Sequence, residues 1–134
     1  MKSKILVVDD EADLLAELAP MLERAGYSVT TAGDGVQALR AVEQIKPELV
    51  VLDVMMPRMS GMALLVQLKS NYPAVPVILI TGYGGRFTPQ EAMGAGADGY
   101  FLKPFKNVEL IRTLRGVLTT SAAVRKSATA SVRR

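Results

Sequence analysis

Neither cysteine nor histidine occurs among the 134 residues. The first absence excludes disulfides, thiolate metal sites and sulfur nucleophiles. The second excludes imidazole ligands and every mechanism built on a histidine base. A metal held here must sit among oxygens, which selects hard cations such as magnesium. No apolar run approaches the ~18 residues of a bilayer span. Met1-Lys2-Ser3 leads straight into a strand-like segment rather than a signal peptide. A cytoplasmic protein with no membrane contact is the expectation.

What is present suits one folded domain. The chain is 49% hydrophobic and 22% charged, with enough length to bury a core. The net charge of +3 is unevenly placed. Residues 120–134 carry Arg125, Lys126, Arg133 and Arg134 and no acid; taking those four charges away leaves residues 1–119 at −1. A nearly neutral body offers no electrostatic case for direct nucleic-acid binding. We therefore divide the chain into a domain over 1–119 and a basic Ser/Ala/Thr-rich tail or linker over 120–134. Such a composition reads as a solvated end, with a basic anchor for acidic partners as the sharper alternative.

Two periodicities alternate along the body. Short β-rich runs occur at Lys4–Val8, Ser28–Ala32, Leu49–Leu52, Val75–Ile80 and Gly99–Leu102. Helical spacing appears in Leu14, Leu15, Leu18 and Leu22, then in Val36, Leu39, Val42 and Ile45, and then in Met62, Leu64, Leu65 and Leu68. Thr88-Pro89 predicts the cap and first residue of a short fourth helix, and Leu110, Ile111, Leu114 and Leu118 share one face of a fifth over about 108–118. Gly26 suits a left-handed helix terminator. Pro20 interrupts the first helical pattern, but the leucine register continues past it, so a bend is expected rather than an end. Five strands alternating with five helices predict an α/β fold with right-handed crossovers. The expected arrangement is a flavodoxin-like (βα)5 doubly wound parallel sheet in strand order 2-1-3-4-5.

In such sheets function gathers at the carboxyl ends of the strands. The first strand ends in Asp9-Asp10, the third in Asp53, the fourth in Thr81-Gly82 and the fifth in Lys103-Pro104. The predicted order makes those four strands neighbours, so acids, a hydroxyl and an ammonium share one rim. Clustered carboxylates repel, and an oxygen-bound dication relieves that. Three decoys fail. Asp9-x-Glu11-x-Asp13 places Leu14 where a calcium loop needs glycine. GAGADG, Gly94 to Gly99, matches a dinucleotide fingerprint but follows a helix and enters a strand, the reverse of what that motif requires. TGYGG lacks the Lys-Ser/Thr pair of a phosphate-binding loop.

Together ILVVDDEADLL, LVVLDVMMPRMSG, VILITGYG and GADGYFLKPF resemble a response-regulator receiver domain of two-component signalling, over about residues 4–118. The resemblance implies a phosphoacceptor switch rather than an enzyme. Asp53 would accept a phosphoryl group from a phosphohistidine on a sensor histidine kinase or phosphotransfer protein. Mg²⁺ (or Mn²⁺) would be bound by Asp10 and Asp53, by Asp9 through a water, and by the backbone carbonyl of Met55. Lys103 would neutralise phosphoryl oxygens and Thr81 would donate its hydroxyl to them. Tyr100 resembles the switch aromatic that follows Thr81 inward, altering the surface of the fourth helix, fifth strand and fifth helix. Lys103-Pro104 resembles the family's cis peptide. The donor histidine must lie elsewhere, since these residues include none.

Met55 and Tyr83 differ from the chemotaxis relatives, and their bulk predicts slow self-dephosphorylation. Met56, Met59 and Met62 read as packing rather than as ligands, because hard cations do not select thioethers. The output partner is not legible. The chain reads equally as a free-standing receiver, the front of a DNA-binding regulator or a receiver excised from a hybrid kinase. Two readings from other classes compete: a receiver-like binding module that is never phosphorylated, and a metal-dependent phosphoester hydrolase on the same fold.

Overall fold

The computed structural model describes residues 2–53, 61–82 and 88–132, with 121–132 described as backbone alone. Its strands are β1 (Lys4–Val8), β2 (Ser28–Ala32), β3 (Leu49–Asp53), β4 (Val77–Thr81) and β5 (Gly99–Leu102). They form one parallel sheet in the order β2-β1-β3-β4-β5, as the alternation predicts. The middle strands are apolar throughout because both faces are covered. Every residue of β3 and β4 is buried, whereas β5 at the edge is only half-buried.

Strand alternation divides the core into two layers. Ile5, Val7, Leu49, Val51, Ile78 and Ile80 pack with Leu18 and Leu22 of α1 (Ala12–Arg24) and with Leu110 and Leu114 of α5 (Asn107–Val132). Leu6, Val8, Val50, Leu52, Val77 and Leu79 face the other way. They meet Ala38 and Val42 of α2 (Gly35–Ile45), Leu64, Leu65 and Leu68 of α3 (Gly61–Asn71), and Ala92 of α4 (Pro89–Gly94). Each fully buried aliphatic side chain contributes roughly 1.5–3 kcal/mol through loss of apolar surface to water, so these two layers carry the fold.

Helix ends follow local chemistry. Asp34 accepts the Gln37 N–H at 2.8 Å while the Gln37 side chain accepts the Gly33 N–H at 2.9 Å, a reciprocal cap on α2. Thr88 caps α4 by accepting the Glu91 N–H at 3.1 Å, with Pro89 first in the helix. Helix α1 runs through Pro20, which lies on its exposed side, and the chain then turns at Gly26 with φ +105°. Gly96, inside the GAGADG stretch, also has φ +105°. That motif is therefore a helix stop and tight return into β5.

Two boundaries differ from expectation by more than one residue. Strand β4 starts at Val77 rather than Val75: the Val75 N–H closes a turn onto the Tyr72 carbonyl at 3.0 Å, and Pro76 has no N–H to give a ladder. Helix α5 continues to Val132 instead of ending near Leu118. Once a helix is nucleated, each added residue gains a hydrogen bond without a new nucleation cost, and alanine resists that least. Composition alone hides this continuity. Among the described residues no helix is long and apolar enough to cross a membrane.

Candidate functional site

Ladder hydrogen bonds carry two site residues past the ends of their strands. The Asp9 N–H donates to the Ala32 carbonyl at 3.0 Å and the Lys103 N–H to the Thr81 carbonyl at 2.8 Å. Asp9, Asp53 and Thr81 are buried polar side chains at the carboxyl ends of β1, β3 and β4. Lys103-Pro104 is a cis peptide, as the resemblance implies.

The Lys103 ammonium stands among three acids: 3.3 Å from Asp9 Oδ2, 3.6 Å from Asp53 Oδ2 and 3.7 Å from Glu11 Oε1. All three distances exceed the ~2.7–2.9 Å of a short charge-assisted hydrogen bond. The lysine donates a long hydrogen bond to Asp9 and also faces Asp53 and Glu11. Asp10 is exposed, yet one carboxylate oxygen from each of Asp9, Asp10 and Asp53 lies within 4.8 Å of the others. Unit charges at such separations repel by about 3–4 kcal/mol at an effective dielectric near ~20. One ammonium cannot offset Asp9, Asp10, Glu11 and Asp53 together. The electrostatics thus favour either a proton or a cation.

The titration of Asp9 expresses the same imbalance. Burial, foremost, pushes its carboxyl up from 3.8 to about 6; the hydrogen bond from the Glu11 N–H at 2.9 Å pulls it down, and the Asp53 charge adds to the rise. For Lys103, burial works to lower the value, but the charges of Asp53, Asp9 and Glu11 outweigh it and hold the ammonium above the ordinary lysine range. An all-oxygen acidic set suits a hard dication, and among the described residues Asp9, Asp10 and Asp53 are grouped closely enough to hold one.

The structure therefore brings Asp9, Asp10, Asp53 and Lys103 together, with Thr81 buried at the end of the adjacent strand. Thr81 is the last residue of β4, in register with Leu102, and Tyr100 pairs with Leu79 two residues earlier. Tyr100 is half-buried and packs on the layer formed with α2, α3 and α4. Met55 and Tyr83 lie outside the described residues. Glu11 escapes the sequence reading. Its signal was its position directly after the acid pair, but an acid at a helix start has an ordinary explanation in the helix dipole.

Residues 5–115 match the response regulator receiver domain family. The alkaline phosphatase synthesis transcriptional regulatory protein PhoP of Bacillus subtilis is 40% identical over 121 residues, covering 90% of this chain and 50% of PhoP. The probable transcriptional regulatory protein TcrX of Mycobacterium tuberculosis is 44% identical over 115 residues, covering 85% and 49%. The chain spans about half the length of these curated relatives. Among solved structures, NtrX from Brucella abortus aligns with a TM-score of 0.89 at 38% identity, over 96% of this chain and 29% of NtrX. A CheY-like receiver domain protein from Methanospirillum hungatei aligns with a TM-score of 0.86 at 28% identity, over 92% and 98%. Family match, strand order and strand-end chemistry agree: the chain belongs to the response regulator receiver domain family of two-component signalling.

Proposed function

We propose that this domain is a phosphoacceptor switch in which Asp53 receives a phosphoryl group from a phosphohistidine of a sensor histidine kinase or phosphotransfer protein. The observation that supports it most is the placing of the Asp53 carboxylate, buried at the end of β3, beside both the Lys103 ammonium and the acids Asp9 and Asp10. A carboxylate oxygen of Asp53 attacks phosphorus; the new O–P bond forms as the N–P bond breaks, and that bonding pair stays with the departing imidazole. The incoming group carries its charge on its equatorial oxygens, so catalysis is mostly positioning and charge neutralisation. Lys103 supplies positive charge from one side. Asp9, Asp10 and Asp53 would hold Mg²⁺ (or Mn²⁺), which when bound adds positive charge for the phosphoryl oxygens. Thr81, on the neighbouring strand, is the hydroxyl donor to the phosphorylated form.

A phosphoryl group adds up to about two negative charges and three acceptor oxygens. Drawing Thr81 toward it opens room in the layer where Tyr100 packs, which makes Tyr100 the element that carries the change to the α4-β5-α5 surface. PhoP and TcrX are named transcriptional regulators, so the output we propose is control of transcription by a partner or a further domain. The nearly neutral body argues that the receiver does not itself bind nucleic acid.

The test is incubation with Mg²⁺ and acetyl phosphate, read by intact mass and peptide mapping. Gain of one phosphoryl group at Asp53, lost in Asp53→Asn and accompanied by shifted Tyr100 ring resonances, is the expected result. No gain would leave a binding-only module, and repeated turnover of a phosphoester would mark a hydrolase.

A further inference from the structure

Helix α1 begins in an unusual way for this molecule. Its N-cap is Glu11, with extended backbone at φ −84° and ψ 105° and no capping hydrogen bond from its side chain. Helices α2 and α4 are capped by Asp34 and Thr88, whose short side chains reach the free N–H groups of the first turn. Ser, Thr, Asp and Asn suit that position, and glutamate is a methylene too long for it. The Glu11 carboxylate is directed elsewhere: Oε1 lies 3.7 Å from Lys103 Nζ, across the mouth of the site. A side chain that breaks a local rule while facing a working group is where a role is to be sought.

Lys103 is the residue whose position matters most for that role. Its ammonium is divided among Asp9, Asp53 and Glu11. The group of carboxylates close enough to share a cation comprises Asp9, Asp10 and Asp53, without Glu11. A cation held there would weaken the hold of Asp9 and Asp53 on the lysine and leave Glu11 facing it. Glu11 is then the acid against which phosphoryl oxygens on Asp53 must compete.

We infer that Glu11 is a positioning residue, a resting tether that draws the Lys103 ammonium toward α1 and away from the incoming phosphoryl group. This rests on the phosphoacceptor reading of Asp53. The Glu11 side chain is 65% exposed, so water and salt weaken the tether and it releases readily. Its effect is that of an exposed ion pair, about twofold to fivefold.

The experiment is the rate of Asp53 labelling by acetyl phosphate in saturating Mg²⁺, followed by intact mass. Each transfer forms the Asp53 O–P bond, breaks the acyl P–O bond and releases acetate with that bonding pair. Glu11→Gln is expected to label about twofold to fivefold faster than wild type, with the gain shrinking as salt is raised. In a Lys103→Met background the same substitution is expected to change nothing, since the tether has lost its partner. Glu11→Asp keeps the charge but withdraws the carboxylate toward the helix cap, and is expected to follow Glu11→Gln.

Equal rates in wild type and Glu11→Gln overturn the inference. So does equal acceleration in the Lys103→Met background, which would mean that Glu11 acts only as a diffuse negative charge. A wild-type rate in Glu11→Asp would show that reach does not matter, and overturns the tether. Wild type that gains no phosphoryl group at Asp53 overturns the phosphoacceptor reading itself, and this inference with it.

Discussion

The two ends of the sheet use the same kinds of residue to opposite effect. At the amino ends of the strands, Lys69 of α3 meets Asp98 at 3.4 Å and also donates to the carbonyls of Val75 at 3.1 Å and Pro73 at 3.4 Å. Asp98 in turn accepts the buried Val77 N–H at 2.8 Å. One cation faces one anion there, and the lysine's further hydrogen bonds go to backbone carbonyls. At the carboxyl ends, Lys103 faces Asp9, Asp53 and Glu11, with Asp10 close by. The first arrangement is closed and joins α3 to the starts of β4 and β5. The second keeps an unbalanced negative charge that only a proton or a cation can relieve. A matched pair reads as structure and a mismatch as function.

The largest effect expected from this contrast is on chemistry. Lys103→Met removes the only ammonium among the described residues in contact with Asp53, and should slow acetyl phosphate labelling by about 10²-fold, the scale of losing one transition-state charge partner. Labelling within a few fold of wild type would place the stabilising charge elsewhere. Lys69→Met, at the closed end, should leave the labelling rate unchanged.

A stability effect comes next and should reverse the pattern. Asp98→Ala leaves the buried Val77 N–H without its acceptor and should cost about 1–3 kcal/mol by denaturant unfolding, with labelling at the wild-type rate. A marked loss of labelling without loss of stability would show that the clasp communicates with the site.

The third effect concerns pH. The raised Asp9 value means that its contribution to stability is fully present below 3.8 and is lost as pH rises through about 6. Without a divalent cation, the melting midpoint should therefore fall on going from about pH 5 to about pH 7, and Asp9→Asn should flatten that fall. Mg²⁺ competes with the same proton, so its apparent affinity should weaken below pH 6, by up to about tenfold per pH unit. Affinity independent of pH across this window would rule out Asp9 as a group that must deprotonate.

Much of the site was legible because parallel β/α topology converts chain order into spatial order. Asp9, Asp53, Thr81 and Lys103 each follow an apolar run, so naming the runs placed the residues on one rim. Periodicity also disposed of GAGADG, since a fingerprint on the wrong side of a helix cannot cradle a phosphate. The length of α5 was not legible, because composition judged the stretch after Leu118 by itself and not as the continuation of a formed helix. Glu11 was missed for a similar reason: beside the acid pair it has a sufficient local explanation, and only the position of Lys103, far along the chain, supplies another.

By itself the amino-acid sequence determined the alternation of strand and helix, the strand order that follows from right-handed crossovers, and the residue types at each strand end. Those depend on local periodicity and chirality, which act over a few residues at a time. Tertiary structure alone decided how deeply Asp9 is buried and how one ammonium is divided among three carboxylates. Charge interactions depend on distance and on how much water lies between the groups, and neither exists until the chain has folded.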